Sequence, residues 1–392
     1  MIPRIAFIFT HRIQYFTNLL DELQRRGRIE PVAVYAHETA ALTDSGFGRR
    51  ISWDNRRDSN FAEVLLPHSA KQAQGRFFSS FDIAVARSLD RLKPDCIHLN
   101  GYAKAIQWQA WRWARKHKVP ILLRGDGDTL DGDNRRRSFA RNWLARIFTS
   151  AAAHVFFQGE ENRKYWVARG AVPGKMSWLP CVSDSAVFHR PAFRDEEARQ
   201  AYRRQHGADS DDVVFVVSGK LISRKRPSDA LRMLAQDPST RIKVWFLGSG
   251  PLETELKMLA ASLGVTSRVY WWGFRNQTEM PFVLQAADVL LHLSQTDRWP
   301  YSVLDGAASG LALLLSDRTG SYPDWLELPP ACVIFPCGNI PELVSVAAHL
   351  AQDKPRRTEL QRLAKSKSNR YTEREFSERF ETAVFSVLRS DK

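Results

Sequence analysis

Short apolar runs rich in β-branched and aromatic residues alternate with longer stretches of helical periodicity, and the alternation occurs in two series. The first series has its strand-like runs at residues 5–10, 32–35, 96–99, 121–123 and 155–157. The rhythm breaks over residues 188–212, a charged stretch with Pro191 near its start, and resumes with runs at 213–217, 244–247, 289–293 and 311–315. Leu252, Leu256, Leu259 and Leu263 repeat at helical spacing between two of these runs. Strand–helix alternation of this kind builds parallel sheets covered on both faces. The expected class is therefore α/β, with two Rossmann-like, doubly wound domains. The expected boundaries are 1–187, 188–370 and a C-terminal helix in 371–392, with Phe376, Phe380 and Val384 on one side and able to pack back on the N-terminal domain. Ligands of such sheets bind beyond the carboxyl ends of the strands, so the chemistry belongs in the loops that follow them.

A chain of 392 residues exceeds the size at which one core stops growing, which agrees with two domains. Its 44% apolar and 26% charged residues are those of a folded protein. The net charge of +14 draws anions, whether nucleic acid, lipid headgroups or phosphorylated metabolites. Cys96, Cys181, Cys332 and Cys337 lack paired zinc spacing and read as thiols in a reducing cytosol. The start, MIPRIAFIFTHR, reads as a first strand and not a signal peptide, and no run approaches the roughly 20 apolar residues of a membrane span. The expectation is a cytoplasmic protein, soluble or peripheral on the inner membrane face.

Three segments of the second half carry candidate chemistry. In SQTDRWPYSVLDGAASGLALLLSD (294–317) a strand ends, a polar loop holds Asp297 and Pro300, and a helix runs from Ser302 to Gly310, with Asp305 in its first turn. Ser302-x-x-Asp305 is nearly a capping box, with Asp in place of Glu or Gln, which stabilises a helix start whatever the function, and Asp297 alone would be a turn residue. In VVSGKLISRKRP (216–227), Gly219 permits a tight turn after a strand, so that Lys220 and Lys225 can point into one crevice, with Arg224 and Arg226 as spares or surface residues. Cations preorganised where negative charge develops give roughly 3 kcal/mol each to a transition state. The third segment, residues 246–274, has Gly-Ser-Gly-Pro at a strand end, suited to close backbone approach to a ligand, and closes on Gly273 and Phe274. It lacks the third Gly of a dinucleotide fingerprint, and at least one of Trp271, Trp272 and Phe274 is expected in the core.

In this order the three segments resemble family 4 glycosyltransferases, whose signature is an acid, seven residues, and a second acid on a small-residue helix closing at Gly. The resemblance implies a GT-B fold, two Rossmann-like domains facing across a cleft. It implies that Asp297 contacts the donor sugar and Asp305 the nucleotide ribose, with Trp299, Pro300 and Gly310 at the family's aromatic, small and closing positions. Both acids are usually Glu in the family; here each is shorter by one methylene. Lys220 and Lys225 would grip the donor diphosphate, and Gly219, Gly250, Phe274, Tyr301 and Ser302 complete the donor-side candidates. In the first half, HRIQYFTNLLDEL from His11 and LLRGDGD (122–128) are similar to cleft loops of a bacterial polysaccharide branch, which makes His11, Arg124 and Asp126 acceptor-side candidates. Residues 158–188 resemble the run from the last N-terminal strand into the linker.

The activity implied is a retaining transfer of a sugar from a nucleotide-diphosphate sugar to a glycan, a lipid-linked or a small-molecule acceptor by front-face attack, with no cofactor. DGDTLDGD (126–133) contains Asp-x-Asp, but its spacing does not fit a calcium loop, and no essential metal is expected. Two other readings remain: a basic nucleic-acid-binding protein, suggested by the charge and the twelve tryptophans but without a recognisable module, and another GT-B enzyme such as a phosphorylase or epimerase. Finally, RRRSFARNWLARIF (135–148) places Phe139, Trp143, Leu144, Ile147 and Phe148 on one helical face flanked by Arg135, Arg137, Arg141 and Arg146. With WQAWRWARKHK (108–118), that pattern suits an anionic membrane surface; the competing reading packs the apolar face on the sheet.

Overall fold

The computed structural model of the protein describes residues 2–12, 14–37, 43–44, 49–50, 59–67, 77–130 and 135–390, with the backbone alone at 14, 43–44, 49–50, 135–141, 185 and 186. Internal contacts divide it into a first unit that ends at Val182 and takes back the chain from Thr372, and a second unit over Ser183–Tyr371.

The chain up to Val182 runs through β1 (Arg4–His11), α1 (Gln14–Arg26), β2 (Glu30–His37), β3 (Thr43–Asp44) and β4 (Arg49–Arg50), which pair as a hairpin grouped with the second unit, β5 (Ala62–Leu65), α2 (Val85–Leu92), β6 (Cys96–Asn100), α3 (Ala105–His117), β7 (Ile121–Arg124), α4 (Arg135–Ala151), β8 (His154–Phe157), α5 (Glu160–Ala168) and β9 (Met176–Trp178). Its parallel sheet has the order β5-β2-β1-β6-β7-β8-β9. The period of two along β1 feeds two cores. Ile5, Phe7 and Phe9 meet Leu19, Leu20 and Leu23 of α1, whereas Ala6 and Ile8 meet Ile106 and Ala110 of α3.

The second unit continues with α6 (Ser185–Phe188), α7 (Glu196–Gln205), β10 (Val213–Ser218), α8 (Ser228–Gln236), β11 (Ile242–Leu247), α9 (Glu253–Ser262), β12 (Val269–Gly273), α10 (Met280–Ala286), β13 (Val289–His292), α11 (Tyr301–Ala308), β14 (Ala312–Ser316), α12 (Tyr322–Leu326), β15 (Cys332–Phe335), α13 (Ile340–Gln352) and α14 (Lys354–Ser368). Its parallel sheet has the order β12-β11-β10-β13-β14-β15. The order reverses at β10 and β13, the topological switch point where a doubly wound sheet opens a crevice. The leucine repeat on α9 packs where its spacing predicts: Leu256 is buried, with Leu252, Leu259 and Leu263 against the same cluster.

The chain then returns to the first unit as α15 (Glu373–Ser390). Phe376, Phe380 and Val384 enter the β1–α1 core, Phe380 lying 5.2 Å from Phe7 and 5.4 Å from Phe156, ring centre to ring centre. Each such ring contributes about 1.5–3 kcal/mol on burial. Buried Glu381 is held by Arg26 at 2.8 Å and Arg28 at 3.0 Å, which supplies the cations that a buried carboxylate requires.

The apolar face read on residues 135–148 is not one face. Phe148 and Ala145 are in the core and Ile147 packs against it, while Trp143 is 58% exposed. A helix covering a parallel sheet must spend its apolar side on that sheet, which leaves one tryptophan outside. The side chains of Arg135, Arg137, Phe139 and Arg141 lie outside the described residues. Among the described residues no helix is long and apolar enough to cross a membrane.

Candidate functional site

The loops after β10, β11 and β13 meet beyond the sheet of the second unit, and backbone hydrogen bonds stitch them together. Gly219 N–H donates to Leu247 O at 2.9 Å, Leu221 N–H to Ser249 O at 3.0 Å, and Leu252 N–H to Leu221 O at 3.2 Å. The approach is so close that a Cβ on Gly248 would lie 1.9 Å from Gly219 O, and one on Gly250 would lie 2.5 Å from Leu221 O. Gly250 therefore serves an approach of backbone to backbone, where the sequence suggested an approach to ligand. Gly219 itself has φ +137°, a conformation open to glycine. Lys220 follows it, half-buried.

A 3₁₀ turn at Ser223–Lys225 then presents Lys225, whose Nζ pairs with Oδ2 of Asp297. Gln295 N–H donates to Arg224 O at 2.8 Å and Arg224 Nη1 donates to Thr296 O at 3.2 Å, so this turn is tied to the Asp297 loop by both strands of contact. Arg226 is not a spare cation for the crevice. It adopts φ +49° and closes on the buried Asp229 at 2.6 Å.

The Asp297 loop rests in turn on the loop after β14. Gly320 N–H donates to Asp297 O at 2.6 Å, and a Cβ on Gly320 would lie 1.9 Å from Arg298 O. Oδ2 of Asp297 also lies 3.1 Å from Nε2 of His292, the last residue of β13, which is 3.0 Å from Ser294 Oγ. Burial favours the neutral carboxyl, yet the hydrogen bond with His292 and the charge of Lys225 outweigh it and hold Asp297 well below the ordinary carboxylate range. Burial, with the Lys225 charge beside it, pushes His292 down, and Asp297 opposes this only in part. At neutral pH Asp297 is thus a carboxylate and His292 a neutral imidazole.

Asp305 is the fifth residue of α11, one residue deeper than the sequence suggested, and it makes no capping box. Pro300 occupies the N-cap and no side chain caps that end. Asp305 instead accepts a hydrogen bond from the Ser183 hydroxyl. It is 4% exposed, and burial, opposed by that hydrogen bond and aided by nearby Asp184, pushes its carboxyl up to about 7. Trp299 is buried, donates from Nε1 to Asp324 at 3.1 Å and packs 5.2 Å from the Tyr371 ring, so its first duty is to hold the loop. Pro300 is buried, and Tyr301 and Ser302 are half-buried in the first turn. Phe274 is half-buried just past Gly273, whose carbonyl accepts from Gly248 N–H at 2.8 Å.

In the first unit, His11 closes β1 in register with His37 of β2. Burial, then the charges of His37 and Lys104, push His11 down. Arg124 closes β7, but its guanidinium is 2% exposed and turned to the rings of Phe16 (5.3 Å) and Phe376 (5.8 Å). Asp126 is exposed and accepts from Gln158 Nε2 at 2.6 Å. Asn162 Nδ2 donates to the carbonyls of Gly125 (3.0 Å) and Gly127 (2.6 Å), which fixes the RGDG turn. Among the described residues no group of three or more His, Cys, Asp or Glu is placed to hold a metal, and Asp131 and Asp133 of the acidic run lie outside them. Sequence reasoning missed His292, Gly248, Gly320, Ser183, His37 and Lys104. Only Gly248 had a signal, as first glycine of the Gly-Ser-Gly-Pro turn.

Comparison with known proteins gives the family and the fold. Residues 198–367 match the family described as glycosyl transferases group 1, and residues 13–181 match the glycosyl transferase 4-like domain. The chain is 26% identical over 256 residues to a putative glycosyltransferase, EpsD, of Bacillus subtilis, over 62% of this chain and 65% of that one. It is 23% identical over 249 residues to a D-inositol 3-phosphate glycosyltransferase of Mycobacterium tuberculosis, over 59% of this chain and 50% of that one. The chain thus spans less than two thirds of the length of these curated relatives. Among solved structures, Anabaena HepE in complex with UDP-glucose aligns at TM-score 0.70 and 15% identity over 99% of this chain and 100% of that one. Sucrose-phosphate synthase from Thermosynechococcus elongatus aligns at 0.77 and 14%, with the same coverage. These likenesses establish the fold, two parallel-sheet α/β halves of the GT-B kind.

Proposed function

Because this chain belongs to the glycosyl transferases, with a 4-like domain in its first half and a group 1 domain in its second, we propose that it moves a sugar from a nucleotide-diphosphate sugar to an acceptor with retention at the anomeric carbon. The observation that carries this is the joining of Lys225, Asp297 and His292 at the carboxyl ends of β10 and β13, with Asp305 buried on the helix that follows. Lys220 and Lys225 neutralise the leaving diphosphate, whose oxygen takes the acceptor proton in a front-face attack; no cofactor or metal is assigned a step. Asp305 suits a ribose. A buried carboxyl without a cation is stabilised by hydroxyl donors, and a vicinal diol offers two where Ser183 now offers one.

The HepE structures hold UDP and UDP-glucose, which makes UDP the first nucleotide to try. Thermal shift with UDP, GDP, ADP and dTDP tests the reading. One of them at 100 times its dissociation constant adds about 2.7 kcal/mol of stability, and the shift should fall in Lys225→Ala and Asp305→Asn. A flat response to all four overturns the proposal.

A membrane-held acceptor on the cytoplasmic face is the finer reading, and its support has moved from α4. Phe78 (67% exposed), Phe81 and Ile83 (72% exposed) stand out just before α2, whose Arg87 and Arg91 are also exposed. Apolar side chains beside basic ones suit an anionic lipid surface. The protein should sediment with vesicles of anionic lipid at low salt, less at high salt, and less after Phe78→Ser with Ile83→Ser. Equal sedimentation of wild type and variant removes the Phe78–Ile83 surface from this reading, and none with either points instead to a soluble acceptor.

A further inference from the structure

A histidine at the buried end of a parallel strand needs a reason. The other members of β13, Val289, Leu290 and Leu291, are aliphatic and buried, and an aliphatic residue at 292 would extend that core without cost. His292 is 3% exposed and lies behind Asp297, to which its ring is bonded. Its Nε2 lies between Asp297 Oδ2 at 3.1 Å and Ser294 Oγ at 3.0 Å. Resting on the reading of Asp297 as the residue facing the donor sugar, we infer that His292 is a positioning residue: its neutral imidazole, with the proton on Nε2, holds the Asp297 carboxylate in place when Lys225 turns its charge to the donor diphosphate.

Three observations converge. An ionised carboxylate only accepts hydrogen bonds, so the proton between His292 and Asp297 sits on Nε2; the other tautomer would set a lone pair against a carboxylate. Burial and the Lys225 charge, with Arg224 beyond, keep the ring from taking a second proton. Oδ2 of Asp297 receives both Lys225 and His292. A diphosphate competes for Lys225 and not for an imidazole below the surface. Without His292, the carboxylate would lose its hydrogen bonding as the donor arrived. The strand also fixes the ring better than a loop would: Ser294 O accepts from Ser316 Oγ at 2.7 Å, which locks the turn between His292 and Asp297 onto β14. A shorter acid than Glu reaches less far from its loop, and a fixed partner then matters more.

Two measurements on the full chain decide this. Nitrogen-15 spectra of histidine-labelled protein should show His292 as the neutral Nε2–H tautomer from pH 6 to 8, with its signals displaced in Asp297→Asn. An Nδ1–H tautomer or an imidazolium at pH 7 overturns the inference. Steady-state hydrolysis of UDP-glucose, or of GDP-mannose if that donor turns over faster, supplies the second. His292→Leu should lower kcat by about thirtyfold with KM within about threefold, and His292→Gln, which places an N–H near the same point, should recover most of it. Equal loss in the Leu and Gln variants means the ring serves packing alone. Lys225→Ala separates the two readings: if it too keeps wild-type turnover, the site assignment fails, whereas retention in His292→Leu alone removes only the positioning role.

Discussion

The loops at the carboxyl ends of the two sheets are held by different means. In the second unit backbone is laced to backbone: Gly219 to Leu247, Leu221 to Ser249, Gly248 to Gly273, Asp297 to Arg318, and Gly320 to Asp297. In the first unit Gly101 N–H donates to Arg124 O between the ends of β6 and β7, but the described loop beyond Arg124 is held by side chains, through Asn162, Gln158 and the Tyr165 ring beneath Gly127. Backbone lacing brings chains closer than a Cβ allows and so demands glycine at set positions. Side-chain lacing can be done by many residue pairs. The first scheme brings Lys225 and Asp297 within a hydrogen bond of one another while backbone bonds carry most of the hold on their loops, which is the arrangement catalysis by preorganised charge requires.

The largest effect should come from removing a charge while leaving the lacing alone. Lys225→Ala and Lys220→Ala should each cut turnover about a hundredfold or more, the size of one preorganised charge, and leave the melting temperature little changed. Loss of folding in Lys225→Ala would mean that its pairing with Asp297 holds the loop, and the comparison would break. Next come the glycines. Gly248→Ala places a Cβ 1.9 Å from a backbone oxygen at φ +145° and should cost about 3 kcal/mol or more of stability, by strain of both clash and conformation. Gly127→Ala overpacks the buried Tyr165 ring, with its nearest atom at 2.4 Å, but has no positive φ to strain, and should cost less, about 1–3 kcal/mol. Denaturant midpoints check both, and a reversed order would show that the two units are held alike.

The same contrast explains what could be read from the sequence. Both series of strands were legible because periodicity is local, and the acids at 297 and 305 and the lysines at 220 and 225 were singled out through their resemblance to a family signature. His292 was not, since a lone His in an apolar strand looks like core until Asp297 is seen to fold back over it. Ser183 and Asp305 are 122 residues apart in sequence, and nothing in either segment announces the pair. Of the two readings of residues 135–148, packing on the sheet is what Ala145, Ile147 and Phe148 do: helical period shows which residues share a side, not which side the sheet takes. Arg124 was placed correctly at a strand end, but its burial against Phe16 and Phe376 depends on two distant helices.

Two acids in one unit should titrate in opposite senses. Asp305 rises from its ordinary 3.8 to about 7, chiefly by burial, so the folded state binds its proton more tightly and unliganded stability should fall as pH rises from about 4 to 7. Asp297 is depressed, so its contribution is present above its ordinary pKa and is lost as pH falls through the acid range. Asp305→Asn should abolish the first slope, keep the second, and weaken nucleotide binding by about tenfold. Melting temperatures across pH 3–8 and calorimetry with UDP measure both. An unchanged slope would show that solvent reaches Asp305, and an unchanged affinity would end its role at the ribose.

The smallest effect is expected at Ser302, and it tests whether the donor helix starts by its own capping or by the lacing around it. Real caps occur elsewhere in the second unit: Asp195 accepts from Ala198 N–H at 2.8 Å, Asn339 from Glu342 N–H at 3.1 Å and Asp353 from Arg356 N–H at 2.9 Å. Replacing such a cap by Ala typically costs about 1 kcal/mol. Helix α11 has no side-chain cap, since its N-cap is Pro300 and Ser302 already lies inside the first turn. Its start is set by Trp299, anchored to Asp324 and Tyr371, and by Asp297, anchored to Gly320. Ser302→Ala should then change stability by less than about 0.5 kcal/mol, as for a surface substitution away from special features, while Asn339→Ala costs about 1 kcal/mol. Chemical denaturation of the two variants side by side distinguishes them. A Ser302→Ala cost equal to that of Asn339→Ala would return the helix start to its own sequence and remove the lacing from the account of how Asp305 is placed.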